Sequence, residues 1–269
     1  MPLVVCATPI GNLDDITLRV LSELRAADLV LCEDTRRTRI LLDRHAIDAR
    51  LVSYHRHNEA ARASDVMGRL ERRERVALVS DAGLPGVNDP GARLIAAAAA
   101  AGLAVTVLPG PSAVETALVA SGLVGDRYQF VGYLPRRAAE LRAFGLELAR
   151  WPGAVVAFES SRRLPSSLAA LAETMPERPA AVCRELTKRF EEIVRGTLAD
   201  LARRFAEAPR GEITVVLGAA PVVEDDSDAV QAQAAVAELL GAGITRRQAV
   251  DLVARLTGAP RNALYRGSL

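Results

Sequence analysis

Val76-Ala-Leu-Val-Ser80-Asp-Ala-Gly-Leu-Pro-Gly-Val-Asn-Asp-Pro-Gly91 decides how the chain is read. Its first five residues form a short, nearly continuous apolar run, as a strand buried on both faces requires. The rest holds three glycines and two prolines, so the strand empties into an irregular loop whose backbone N–H groups can face a ligand. Working outward, similar β-rich runs stand at Leu3–Ala7, Asp28–Cys32, Leu51–Tyr54 and Val105–Leu108. Helical patterns separate them, at 17–26, 36–44, 58–72, 89–101 and 112–121. Five strands parted by helices imply right-handed crossovers and a parallel, doubly wound α/β sheet. In such sheets ligands bind outside the carboxyl ends of the strands, which directs attention to the strand-to-helix loops. Asp89 before Pro90 reads as the N-cap of the following helix. Pro109-Gly-Pro-Ser112 repeats the build of the fourth loop, with Ser112 as the next N-cap.

Gly122-Leu-Val-Gly-Asp126 interrupts the pattern, and a second α/β unit follows. Strands are expected at 129–134, 154–159, 180–185, 191–195 and 212–217, and helices at 138–150, 164–174 and 198–206. The gap between 185 and 191 leaves no room for a crossover helix, so this sheet should be mixed and contain a hairpin. The reading divides the chain into α/β domains at 1–124 and 125–218, an acidic linker at 219–228, and a helix-turn-helix-like unit at 229–269. Within that unit, Gly241-Ala-Gly243 parts two helices, 229–240 and 246–256, and Thr245-x-x-Gln248 reads as a capping box.

Of 269 residues, half are hydrophobic, and 34 basic side chains face 33 acidic ones. The near balance excludes a basic field over the whole protein while allowing a local basic patch. The longest apolar run, Leu94–Val105, is too short to cross a bilayer, and Met1–Thr8 lacks the charged start of a signal peptide. Cys6, Cys32 and Cys183 are odd in number, widely spaced and without metal-binding spacing. They read as reduced core residues of a cytoplasmic protein that holds no metal. The first loop, Thr8-Pro-Ile-Gly-Asn-Leu13, has neither the glycine pattern of a dinucleotide site nor that of a P-loop, which argues against a dehydrogenase or an ATPase.

Three polar clusters carry candidate chemistry. Asp81, at a strand end, can accept hydrogen bonds from a ribose or an ammonium group. Glu33-Asp-Thr-Arg-Arg37 either positions a substrate or caps a helix. Tyr54-His-Arg-His-Asn-Glu59 holds two of the three histidines, readable as a neutral base or as a solvated helix start with Asn58 as cap. Lys188 is the one lysine among 34 basic residues. Lysine can lose its proton when desolvated and arginine cannot, so a base, an oxyanion-stabilising cation and a structural ion pair are all open to it.

Thr8-Pro-Ile-Gly-Asn12, Glu33-Asp-Thr-Arg36, His57-Asn-Glu59, Val79-Ser-Asp-Ala-Gly83, Asp89-Pro-Gly91, Pro109-Gly-Pro-Ser-Ala113, Arg184-Glu-Leu-Thr-Lys188 and Gly211-Glu212 occur in this order. Together they resemble the tetrapyrrole methylases. Within that superfamily the chain is similar to the enzymes that methylate a cytidine 2′-hydroxyl in the decoding region of 16S ribosomal RNA. The resemblance implies a homodimer with S-adenosylmethionine, in a folded shape, in a cleft between two α/β domains. It also implies cofactor contacts at Pro9, Ser80, Asp81, Ala82, Gly83, Leu84, Ser112, Ala113, Val114, Phe158, Glu159, Ser160 and Thr187. Beside these, Lys188 is the expected catalytic base, with Glu59, Glu185 or Glu191 tuning it and Asp34 assisting. The expected partner is 16S rRNA or the small ribosomal subunit, with Arg36, His57, Arg246, Arg247, Arg255 and Arg261 as expected RNA contacts and Arg266 beside them. A tetrapyrrole or other small acceptor and a non-catalytic RNA-binding assembly role are the competing readings. Leu84 stands where the family has threonine, and Ser161-Arg162 where it has Pro-His.

Overall fold

The computed structural model describes residues 3–220 and 226–267, in two compact units, Met1–Ala220 and Pro221–Leu269. The larger unit begins with a five-stranded sheet of β1 (Leu3–Cys6), β2 (Leu29–Cys32), β3 (Leu51–Ser53), β4 (Val76–Leu78) and β5 (Val105–Leu108). Their order is β3-β2-β4-β1-β5 and every pairing is parallel. The three central strands are buried at every residue and the edge strands β3 and β5 are not, so the apolar runs report position in the sheet.

Helices α1 (Leu18–Ala26) and α2 (Thr35–Arg44) cover one face. Val20, Leu24 and Leu42 pack there on Val4, Val30 and Ala77. Helices α3 (Glu59–Glu71) and α4 (Ala92–Ala100) cover the other, with Val66, Leu70 and Leu94 on Val5, Leu31 and Leu78. Thr17 and Asp34 cap α1 and α2, accepting from the backbone N–H of Val20 at 3.2 Å and of Arg36 at 2.8 Å.

One expected cap is displaced, and two keep their position without a capping side-chain hydrogen bond. Helix α4 starts at Ala92, and Gly91, not Asp89, is its N-cap residue. A side chain at Gly91 would meet Leu78 at 2.8 Å, and its φ of +120° suits glycine. Ser112 does precede α5 (Ala113–Ser121), but its hydroxyl turns to the Glu115 carboxylate instead of the helix backbone. Asn58 likewise precedes α3 without capping it, and accepts from the N–H of His55 at 2.8 Å.

The second sheet comprises β6 (Tyr128–Tyr133), β7 (Ala154–Ser160), β8 (Pro179–Arg184), β9 (Glu192–Thr197) and β10 (Glu212–Leu217). Its order is β6-β7-β10-β8-β9. β6 and β7 are parallel and the remaining pairs antiparallel, including the β8–β9 hairpin. One face carries α6 (Ala138–Ala149), α7 (Leu164–Thr174) and α8 (Leu198–Arg204). The other takes Val114, Ala117 and Leu118 of α5, together with Ile10. A helix that ends the first sheet's succession thus buries its apolar side on the second, and this cluster ties the two α/β halves together. Arg178 is fully buried with no carboxylate partner among the described residues. It donates instead to the carbonyls of Gly218 at 2.9 Å, Trp151 at 3.2 Å and Gly153 at 3.3 Å.

In the smaller unit α9 (Asp226–Gly241), α10 (Arg246–Thr257) and α11 (Arg261–Gly267) enclose Ala232, Val236, Ala249, Val250, Val253 and Leu264. Of the expected linker, 221–225 lie outside the described residues, and α9 already begins at Asp226. The expected capping box is not formed: the Thr245 hydroxyl donates to the Gln248 side-chain oxygen at 2.6 Å and caps no backbone N–H. Among the described residues no helix is long and apolar enough to cross a membrane.

Candidate active site at the junction of the two sheets

Loops from neighbouring strands are joined at the carboxyl edge of the first sheet. Thr8 and Gly83 exchange backbone hydrogen bonds of 2.8 and 3.0 Å, linking the loops after β1 and β4. The Thr8 hydroxyl donates to the Ser80 carbonyl at 3.0 Å, and the buried Ser80 hydroxyl to that of Ala82 at 3.1 Å. Gly83 has a φ of +73°, and a side chain there would come against Ile10 and the Pro111 carbonyl. Pro9 and Val114 are buried, Ala82 is exposed, and Leu84, Ser112 and Ala113 are half-buried. From the second sheet, half-buried Phe158 makes edge contacts with Phe130 and Tyr133 at ring-centre distances of 4.9 and 5.7 Å. Ser160 is exposed.

These parts fit an adenosine carrying an amino-acid tail. Bare loop backbone lies around Gly83, the Phe158 ring offers an apolar surface, and Asp81 is a carboxylate within reach of solvent. Asp81 accepts from the N–H of Asp34 at 3.1 Å and pairs with Arg37 at 3.3 Å, which leaves further lone pairs for a hydroxyl. Glu159 does not fit. Its buried carboxylate is already bound by the Ser160 N–H at 2.7 Å, the Ser167 hydroxyl at 2.5 Å and Arg163 at 3.2 Å.

A carboxyl-rich cluster surrounds Asp81. Burial and the neighbouring Asp81 charge raise Glu33 above the usual carboxylate range, against the opposing charges of Arg56, His55 and Arg37. Asp89 is pushed up to about 6 by burial and by Glu33, against a hydrogen bond from Ser80. Asp34 goes the other way, down to about 2, because the Arg36 side chain and backbone bond to it. No sequence pattern marked Glu33 or Asp89 as proton-holding, since their coupling comes from loops more than fifty residues apart. Glu59 is paired with Arg93 at 3.7 Å and Asp34 with Arg36 at 2.9 Å, so neither is bonded to Lys188.

Lys188 is on the turn of the β8–β9 hairpin. Its Nζ donates to Glu185 at 3.0 Å and to Glu212 at 2.8 Å. Burial works against the charge, but those two carboxylates outweigh it and hold the ammonium above its ordinary pKa. In this arrangement the two carboxylates hold Lys188 as a charged ammonium and not as a neutral amine. Glu185 is a partner as expected, whereas Glu191 accepts from the Thr187 N–H at 2.6 Å. The hairpin meets the first loop where the Thr187 hydroxyl accepts from the Asn12 N–H at 3.1 Å. A side chain on Gly11 would lie 2.5 Å from Lys188 and 2.8 Å from the Leu186 carbonyl. Beside this contact is a cavity of about 730 Å³ lined by residues 11–14, Arg44 and 187–189.

Arg36 and His57 are exposed on the first half, and His57 lies edge-on to His55 at 5.9 Å. In the smaller unit Arg247, Arg255, Arg261 and Arg266 are exposed and Arg246 is half-buried, with Arg261 paired to Asp251. All three cysteines are free and buried, and burial raises each thiol pKa, Cys6 to about 12 and Cys183 to about 11. Among the described residues no His, Cys, Asp and Glu group has the makings of a metal site.

The tetrapyrrole (corrin/porphyrin) methylases match residues 2–202, and the RsmI C-terminal HTH domain matches residues 226–267. The chain is 44% identical to ribosomal RNA small subunit methyltransferase I of Micromonospora olivasterospora, over 98% of this chain and 85% of that one. With the enzyme of the same name from Mesorhizobium japonicum it shares 45% identity, over 98% and 90%. Among solved structures, the methyltransferase CobJ superimposes with a TM-score of 0.62 at 23% identity, covering 81% of this chain and 94% of that one. Thermus thermophilus uroporphyrin-III C-methyltransferase, complexed with S-adenosylhomocysteine, gives 0.58 at 20% identity, covering 81% and 97%. Those two likenesses establish the shared fold, and the near-full-length identities narrow it: the chain belongs to the tetrapyrrole methylase family, in its ribosomal RNA small subunit methyltransferase I branch.

Proposed function

We propose that the chain is an S-adenosylmethionine-dependent methyltransferase of the cytoplasm. Its acceptor is the 2′-hydroxyl of a cytidine in the decoding region of 16S ribosomal RNA, and it works as a homodimer. The observation that carries this reading is identity of about 44–45% over nearly the whole chain with relatives named for small-subunit rRNA methylation.

When bound, the cofactor supplies an electrophilic methyl group on a sulfonium. The chain's own residues do the rest. The loop at Ser80–Leu84, Pro9, the start of α5 at Ser112–Val114, and Phe158, Ser160 and Thr187 hold the cofactor, with Asp81 accepting from its hydroxyls. Glu159 keeps the end of β7 in place through Ser167 and Arg163. Lys188, kept protonated by Glu185 and Glu212, offers positive charge where an alkoxide develops. Arg36 and His57 contact RNA. Arg246, Arg247, Arg255, Arg261 and Arg266 give the smaller unit salt-dependent phosphate contacts with little sequence choice.

Single-turnover methyl transfer to 16S rRNA or assembled small subunits, run beside a tetrapyrrole acceptor, tests the reading. Protection of one cytidine from alkaline cleavage is expected, and methylation of the tetrapyrrole alone would overturn it. Lys188→Arg should retain most of the turnover, since it keeps the charge. Complete loss with cofactor binding intact would restore the base role.

A further inference from the structure

Phe190 is 66% exposed, and of the five phenylalanines it alone stands out in solvent. It lies on the turn of the β8–β9 hairpin, one residue beyond the lining of the 730 Å³ cavity. Arg189, which lines that cavity, holds its guanidinium 5.5 Å from the Phe190 ring centre and has no carboxylate partner among the described residues. The turn is also unusually fixed. Glu185 and Thr187 take left-handed backbone conformations, with φ of +52° and +64°. Such conformations persist in non-glycine residues only where the surroundings impose them. Here the Glu191 carboxylate, the Asn12 N–H and the Lys188 pairing with Glu185 and Glu212 impose them. An exposed ring on a rigid turn loses little conformational freedom when something stacks on it.

Resting on the reading of the chain as an RNA methyltransferase, we propose that Phe190 and Arg189 form a stacking platform for one unpaired base of the RNA. That base flanks the nucleotide to be methylated, and the adjoining cavity takes its sugar-phosphate. Proteins that read single-stranded RNA splay its bases onto aromatic rings and guanidinium planes, and Arg189 places both beside an aromatic face. The surroundings favour RNA over a second copy of this chain. Asn12, the Arg44–Asp14 pair, Lys188 held between Glu185 and Glu212, and Arg189, the cation here without a carboxylate partner among the described residues, make the rim polar and charged, whereas the core of an interface between copies is depleted of charge.

The test is steady-state methylation of the RNA that the wild type modifies, with cofactor affinity followed by calorimetry. Phe190→Ala should raise the KM for RNA about 5- to 150-fold, the range expected for loss of one base–aromatic stack. Its kcat should change less, and its cofactor affinity not at all. Phe190→Tyr should restore the KM, while Phe190→Leu, equally apolar but without a π face, should not. Arg189→Gln should reduce the salt dependence of RNA binding by about one phosphate contact. The proposal is overturned if Phe190→Ala keeps the wild-type KM, or if Phe190→Leu matches the wild type. It is equally overturned if Phe190→Ala changes the oligomeric state in light scattering, because the ring then belongs to a contact between copies. A wild type that methylates no RNA removes the functional reading and this proposal together. A wild type active on RNA with an unaffected Phe190→Ala removes the stacking platform alone.

Discussion

At the carboxyl edge of the first sheet, Glu33 and Asp89 are crowded by Asp81 and half-withdrawn from water, and both are pushed toward their protonated forms. On the β8–β9 turn, Lys188 is also partly withdrawn from water, yet Glu185 and Glu212 close on it at 3.0 and 2.8 Å and its charge is reinforced. Burial opposes charge in both regions; direct hydrogen bonds decide the outcome, since Glu185 and Glu212 are bonded to Lys188 whereas Arg56, His55 and Arg37 act on Glu33 only through space. One side of the junction therefore offers carboxyls pushed toward their protonated forms, Asp89 to about 6, and the other a cation whose charge is reinforced.

The strongest way to break the pairing on the hairpin is from the opposite loop. Gly11→Ala drives a methyl group into the Leu186 carbonyl and the Lys188 side chain. A fall of at least about tenfold in methyl transfer is expected, together with about 1–3 kcal/mol of stability lost in urea unfolding. Full activity in this variant would show that the loop-to-hairpin contact is dispensable.

Asp89 sharpens the other side. Its folded pKa of about 6 lies above the ordinary aspartate value of 3.8, so the folded state binds the extra proton between those values. Stability should therefore fall as pH rises from about 4 to about 6, the reverse of a salt-bridged carboxylate. Asp89→Asn should flatten that slope and stabilise the protein above pH 6 by about 1–2 kcal/mol, allowing for partial solvation. Thermal unfolding between pH 4 and 8 checks it, and an unchanged slope would mean that Asp89 ionises freely.

Asp34 gives the smallest effect and the opposite sign. Held down to about 2 by Arg36, it contributes stability above the ordinary aspartate range, and that contribution disappears as pH falls toward 2. Asp34→Ala should lower Tm by only a few degrees at pH 7, as loss of one helix cap does.

Which of these features the sequence announces depends on the range over which each is determined. The strands were legible because burial on both faces writes itself into consecutive residues, as in Val76–Leu78 and Leu29–Cys32. The hairpin was legible because the stretch between residues 185 and 191 is too short for a helix. The start of α4 is not legible at Asp89 because an Asp-Pro pair imitates a cap, while Leu78, thirteen residues before Gly91, excludes any side chain at that glycine. Lys188 stood out by its rarity, but its role turned on Glu212, which a motif beside Gly211 signalled without connecting the two. Arg178, with no carboxylate partner among the described residues, left no local trace at all. Phe190 carried a faint signal, as an aromatic next to an arginine in a hairpin turn within a chain that is 4% aromatic.

The order of strands in the second sheet also bears on how the chain is made. β10 is the last strand to be synthesised, yet it lies between β7 and β8, whereas the first sheet needs nothing beyond residue 108. After β8 leaves the ribosome, its edge and that of β7 wait for Glu212–Leu217. At elongation rates of about 5–20 residues per second, the wait lasts roughly 1–6 s. During that interval two apolar strands present unpaired backbone, the condition under which strands find wrong partners. The nascent protein is thus most exposed to misassembly when its first half is already complete, and any chain stalled between residues 184 and 212 would be a substrate for chaperones.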